Sequence, residues 1–223
     1  MQAEVPKQYL AVAGKTLLQH SLERLGGLPE ISHVVVAIAA GDADWSALAQ
    51  QLPLTLVSKL LVAEGGSERM QSVSNALALL EPFAAADDWV LVHDAVRPCV
   101  QASDARKLMQ ELRQERAGGL LALQVRETLK EGDERGFVQR TVDRSRIWQA
   151  ATPQMFRFSV LQSALQQALA DNRSVTDEAA AVEAAGLPVR LVTGRADNIK
   201  VTYPGDLALV AAVLQAQAAE GVD

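Results

Sequence analysis

A single cysteine, Cys99, occurs among the 223 residues. One thiol excludes an internal disulfide and suits a reducing compartment. It reads as a small buried group beside a strand tip rather than as a nucleophile. Histidine is almost as scarce. His20, His33 and His93 are scattered and have no cysteine set around them, which excludes a structural zinc site and leaves them as ordinary surface or core residues. Long apolar runs are missing although 49% of the residues are hydrophobic. No window approaches the roughly 20 apolar residues of a membrane span. The opening MQAEVPKQYL lacks the charged-then-apolar layout of a secretory signal, so a cytoplasmic setting is expected. Positive charge is in deficit as well. A formal net charge of −6 argues against a nucleic-acid partner, which needs a basic face. It leaves room for a small phosphorylated ligand, because a few placed cations can locally overcome an acidic average.

What is present fits one sizeable domain spanning 1–223, long enough for a full core. Apolar runs alternate with segments of helical period. ISHVVVAIA (31–39) is a short β-branched run, the pattern of a strand buried on both faces. Leu17, Leu18, Leu22 and Leu25 make one helical stripe before it. EGGSERMQSVSNALALL reads as a glycine turn opening into a helix, with Ser72 in its first turns. VLVHDAVRPCV (90–100) begins as a buried strand and ends on Asp94 and Arg97. The βαβα alternation predicts an α/β fold: a Rossmann-like, mostly parallel sheet with helices on both faces. Ligands of such sheets bind beyond the C-terminal ends of the strands, which is where Asp94 and Arg97 fall. The middle is different. Two polar extended runs flank Gly132–Gly136, predicting a β-hairpin arm over about 125–146. A lone hairpin is marginal in water, so either the rest of the domain or a second subunit must cover it, and its charges, which suit a projecting arm, favour a partner chain. Helices are predicted at 158–170 and 176–185, and ADNIKVTYPGDLAL reads as a strand entering a helix.

The chemistry-bearing residues point to phosphate. Lys7 follows a proline at a turn, although a lone lysine is more often a solvated surface group. Lys200 interrupts a strand pattern between Ile199 and Val201, so it lies on the wet face or pairs with an acid, Asp197 or Asp206 being near in sequence. Gly65 and Gly66 before a helix offer backbone N–H groups to an anion. Thr152 and Thr176 each stand at the start of a predicted helix, as N-caps or as pocket hydroxyls. Asp94 at its strand tip could ligate magnesium or accept hydrogen bonds from a polyol. An Asp94–Arg97 ion pair that shapes the turn is the structural alternative.

Six stretches, PKQYL, GGSERMQSV, LVHDAVRPCV, TVDRSRIWQAATPQMF, VTDEAAAVEAAG and GRADNIKVTYPGDLAL, together resemble the 2-C-methyl-D-erythritol 4-phosphate cytidylyltransferases of the non-mevalonate isoprenoid pathway. They occur in that family's order and cover almost the whole chain. The resemblance implies a nucleotidyltransferase that joins CTP to methylerythritol 4-phosphate and releases pyrophosphate in the presence of Mg2+. It implies Lys7 at the α-phosphate and Lys200 at the acceptor phosphate. Arg144 and Thr128 would come from the arm of the other subunit of a homodimer. Asp94, Arg97 and Thr152 would line the acceptor site with Thr176 close by, and Gly66, Ser72 and Ala95 would surround the nucleotide. Two readings stand beside it: a sister enzyme using another polyol phosphate such as ribitol 5-phosphate, and a non-catalytic nucleotide-binding homologue. There are departures. Ser67 replaces an acidic residue often found after the two glycines. The family also begins with a strand and a glycine-rich loop bearing an arginine, whereas MQAEVPKQYL corresponds to the exit of that loop. A natural protein roughly twenty residues longer is therefore expected, a length set by one strand plus a loop, and without that strand a neighbour would keep unpaired backbone groups.

Overall fold

Helix formation starts where Thr16 turns its hydroxyl back to accept the Gln19 N–H, satisfying a donor that the helix itself cannot pair. The computed structural model describes residues 5–221. A short ribbon, β1 (Ala11–Val12) and β2 (Lys15–Thr16), leads into α1 (Leu17–Gly26), which buries the leucine stripe read from the sequence. β3 (Val34–Ile38) follows, then the short helices α2 (Ala43–Ala49) and α3 (Leu54–Val57), then β4 (Leu60–Glu64). β3 and β4 pair in parallel, Val36 opposite Val62. The glycine turn opens into α4 (Arg69–Leu80), and β5 (Trp89–Val92) carries Asp94 just past its end. After α5 (Ala102–Leu112) and β6 (Gly118–Gln124) come β7 (Leu129–Gly132) and β8 (Val138–Val142), an antiparallel two-stranded ribbon whose side chains are mostly exposed. Asp133 shapes its turn by accepting the Arg135 and Phe137 N–H groups. The chain ends with β9 (Trp148–Arg157), α6 (Phe158–Ala170), α7 (Glu178–Ala184), β10 (Val189–Thr193) and α8 (Asp206–Ala219).

The central sheet runs β10-β6-β9-β5. Only its β10–β6 pair is parallel, while β6–β9 and β9–β5 are antiparallel. The expected mostly parallel sheet is thus corrected to a mixed one within an α/β fold. The reason is β9, a strand the sequence reading did not contain, since it started a helix at Thr152. Residues 151–156 are all buried. A strand covered on both faces need not alternate, and Thr152 and Gln154 inside it hid the apolar signal. Helices do lie on both faces of this sheet. Leu120 and Phe156 pack against α4, α6 and α7, while Leu121, Met155 and Val192 pack against Leu108 and Leu112 of α5. Successive residues point to opposite faces, as a pleated strand requires.

β3 and β5 are each the last strand of their sheet, and a cavity of about 700 Å³ between them is lined by both. They run in the same direction. His33, before β3, stacks on Phe83, before β5, at 4.6 Å, and at the other end Ile38 and Ala95 share one apolar cluster.

Phe156, fully buried between two antiparallel neighbours, should be the costliest single core truncation. Phe156→Ala is expected to lower unfolding stability by about 3–5 kcal/mol, read from urea denaturation. A loss below about 1 kcal/mol would mean that β9 is not the core strand described.

Candidate active site

Beyond the β5 tip, the Asp94 carboxylate gathers three cations. Its Oδ2 lies 3.0 Å from Lys200 Nζ and 3.3 Å from Arg97 Nε, and its Oδ1 lies 3.3 Å from Arg69 Nη2. Burial works to raise the carboxyl, but Arg69, Lys200 and Arg97 outweigh it and hold Asp94 below the usual carboxylate range. The Asp94–Arg97 ion pair exists, so the structural alternative is present too, as one contact of a larger cluster. The acid that holds Lys200 is Asp94 rather than its sequence neighbours. Asp197 pairs with Arg195, and Asp206 accepts the Thr202 and Tyr203 N–H groups. Lys200 does not lie in a strand as expected. The 198–202 segment is irregular and is tied down by Val201 N–H to Val96 O at 2.9 Å. Arg97 fastens it as well, donating to Asn198 O at 2.8 Å.

Thr152 is corrected from a helix cap to a buried strut of β9. Its hydroxyl oxygen accepts the Asp94 N–H at 3.0 Å and lies 3.0 Å from His93 Nδ1. The other imidazole nitrogen lies 3.1 Å from Arg97 O. A carbonyl can only accept, so Nε2 carries the proton and Nδ1 accepts from the threonine. Asn198 Nδ2 donates to Thr152 O at 2.7 Å and closes the frame. Sequence reading placed His93 among the ordinary histidines, yet it holds the turn between Asp94 and Arg97.

Lys7 opens a short 3-10 turn and donates to Thr202 O at 2.7 Å, which brings it to the segment that carries Lys200. Ser72 and Ala95 line the same cavity as Arg69 and Asp94. Gly66 donates its N–H to Ser72 Oγ at 3.0 Å, and a Cβ there would meet Gln71 Cγ at 2.2 Å, so only glycine fits. Thr176 is exposed and is not the cap of α7. Asp177 is, accepting the Ala180 N–H. Thr128 before β7 and Arg144 after β8 are exposed, and among the described residues neither bonds to the Asp94 cluster. Two members of the site went unread in the sequence, Arg69 and Glu178. Each begins a helix, where a charged residue passes for a surface group.

No group of three or more histidine, cysteine, aspartate or glutamate side chains among the described residues could hold a metal ion. Asp94, the one candidate ligand, already has both oxygens held by cations. A divalent ion there would meet three positive neighbours, so these side chains do not fit a protein-built magnesium site.

A cationic cluster at a strand tip, beside a glycine turn that opens a helix, fits a phosphorylated nucleotide and a second anion. The family profile described as 2-C-methyl-D-erythritol 4-phosphate cytidylyltransferase matches residues 1–216. The chain belongs to this family. A relative with that description from Pseudomonas putida is 52% identical over 208 residues, covering 93% of this chain and 87% of that protein. One from Pseudomonas fluorescens is 50% identical over 208 residues, with the same shares covered. The crystal structure of the Francisella tularensis cytidylyltransferase superposes with a TM-score of 0.79 at 33% identity and covers 94% of both chains. That from Thermus thermophilus gives 0.78 at 30% identity over the same shares.

Burial pushes His93 down from 6.5 to about 4. Above pH 6.5 the imidazole is neutral in folded and unfolded chains alike. As pH falls from there towards the folded value, only the unfolded chain takes up the proton, so about 3 kcal/mol of stability is lost across that window. Urea unfolding at neutral pH and just above the folded value should show this loss. His93→Asn should be weaker at neutral pH but flatter between the two. Parallel losses in parent and variant would remove His93 as the source.

Proposed function

We propose that this chain transfers the cytidylyl group of CTP to 2-C-methyl-D-erythritol 4-phosphate, yielding 4-diphosphocytidyl-2-C-methyl-D-erythritol and pyrophosphate for isoprenoid synthesis. Family membership supports the reaction. The observation that carries it into this structure is the set of three cations around one half-buried carboxylate at the β5 tip, with Lys7 on the adjoining segment. An oxygen of the acceptor phosphate attacks the α-phosphorus. The new P–O bond forms as the bond to the β-phosphate bridge breaks, and pyrophosphate leaves with the bonding pair. Such a transfer asks little covalent help of the protein. It needs two mutually repelling anions held in line and positive charge where negative charge builds.

In this reading Lys7 meets the α-phosphate and Lys200 the acceptor phosphate. Asp94 and Arg97 border the acceptor, Thr152 holds them from behind, and Thr176 lies at the margin. Gly66, Ser72 and Ala95 border the nucleotide. Magnesium travels as part of the nucleotide substrate, bound by phosphate oxygens. Arg144 and Thr128 are supplied by the β7–β8 ribbon of a second copy. Two features support a homodimer through this arm: both residues are exposed and stand apart from the cluster of their own chain, and Phe137 and Val138 on the ribbon are 67% and 62% exposed. A cytoplasmic setting is consistent with the buried free thiol of Cys99 and with no described helix being long and apolar enough to cross a membrane.

Pyrophosphate release with CTP, magnesium and each acceptor in turn tests the reaction. Methylerythritol 4-phosphate should be the faster acceptor, and faster release with ribitol 5-phosphate would overturn the choice. Nucleotide binding without release for any polyol phosphate would point to a binding homologue instead. Lys200→Ala and Arg144→Ala should raise the acceptor KM roughly 10- to 100-fold and leave CTP binding nearly unchanged. Lys7→Ala should mainly lower kcat, by roughly 100-fold or more. Equal loss of CTP affinity in all three contradicts the separate roles. Mixing Arg144→Ala with Lys200→Ala chains should restore one working site per mixed dimer, whereas no recovery would place Arg144 in its own subunit's site.

A further inference from the structure

Arg69 has no role in the reaction described so far, yet it makes more charged contacts than any residue of the cluster except Asp94. It is the first residue of α4, and both its terminal nitrogens reach Glu178, the first residue of α7. Nη1 bonds to Oε1, and Nη2 bonds to Oε2 at 2.9 Å. The same Nη2 reaches Asp94 Oδ1 at 3.3 Å. Glu178 is 1% exposed, so no substrate can touch it. Burial raises its carboxyl, and the Arg69 guanidinium is the partner that offsets this. Its backbone is pinned as well. Gln154 of β9 accepts the Ala179 N–H at 2.8 Å and donates to Asp177, the cap of α7. The guanidinium is therefore held by an anchor fixed to the central strand, in the two-pronged geometry that only arginine offers a carboxylate.

Division of labour between the Asp94 oxygens follows. Oδ1 faces Arg69, while Oδ2 is shared by Lys200 and Arg97. A carboxylate free to turn about its own bond would exchange these partners and let the lysine swing outward. The cluster of Arg69, Arg97 and Lys200 against Asp94 and Glu178 has three positive and two negative charges, one net positive. Without Arg69 it would be net neutral, with Glu178 left buried and unpaired, a costly state.

We propose that Arg69 is a positioning residue for the acceptor site: braced by Glu178, it holds Asp94 Oδ1 so that Oδ2 keeps Lys200 and Arg97 turned towards the incoming phosphate. This rests on the reaction assigned above. Arg69 also lines the cavity that holds Ser72 and Ala95, so direct contact with the nucleotide is the competing role, and the two make different kinetic predictions.

The test is steady-state kinetics of Arg69→Lys and Glu178→Gln beside the wild type, varying CTP and the acceptor separately, with urea unfolding as a control. The lysine keeps the charge but cannot grip Glu178 with two prongs while reaching Asp94. The glutamine keeps the shape but loses the anchoring charge. Both variants should raise the acceptor KM roughly tenfold and leave the CTP KM within about threefold. A matching rise in the CTP KM would make Arg69 a nucleotide contact and overturn the inference. Unchanged constants in both variants would overturn it too. Loss of the folded state in both would reduce the pair to a fold support, again against it. Wild-type turnover with methylerythritol 4-phosphate tests the underlying reaction separately, so failure of the one is not mistaken for failure of the other.

Discussion

One half-buried carboxylate, Asp94, organises the charged cluster at the β5 tip. Arg69, Arg97 and Lys200 could not gather around one point without a counterion, because like charges brought close in a partly dry site repel by an amount on the order of several kcal/mol. Asp94 supplies that counterion at 3.0–3.3 Å from each. Its own desolvation is outweighed by the cations it holds, so the cluster stays ionised and keeps an excess positive charge for an anionic guest.

The fold exists, in this view, to hold that carboxylate still. β5 delivers it, and β9 props it from beside through Thr152, which accepts its N–H and orients His93 against Arg97. Asn198 and Arg97 lash the irregular 198–202 segment to the same frame. That segment in turn receives Lys7 from the start of the described chain. Residues from four distant stretches meet because their backbone groups are spoken for by side chains. The α/β layers give each stretch a rigid base.

Much of this could be read from the residues. Asp94 and Arg97 declared themselves because a buried strand has no reason to end on opposite charges. The helix over Phe158–Ala170 appeared where its period put it. The failures share a cause. β9 is buried on both faces, so its threonine, proline and glutamine broke every simple pattern, and with it went the parallel sheet and the helix assigned to Thr152. Lys200 sits in irregular chain held by the backbone bond from Val201 N–H to Val96 O, which local pattern cannot distinguish from a strand. Arg69 and Glu178 are 109 positions apart, and nothing in either neighbourhood says that these two residues at helix starts meet.

The account stands or falls on Asp94 as the hub for the acceptor anion. Asp94→Asn keeps the shape of the side chain and removes its charge, and the dissociation constant of the acceptor, measured by calorimetry with a non-reactive CTP analogue bound, reads the consequence directly. Weakening of the acceptor by roughly tenfold or more, with the affinity for the analogue itself unchanged, is the predicted result. Acceptor binding as tight as in the wild type would show that the three cations need no carboxylate between them, and the account would fail.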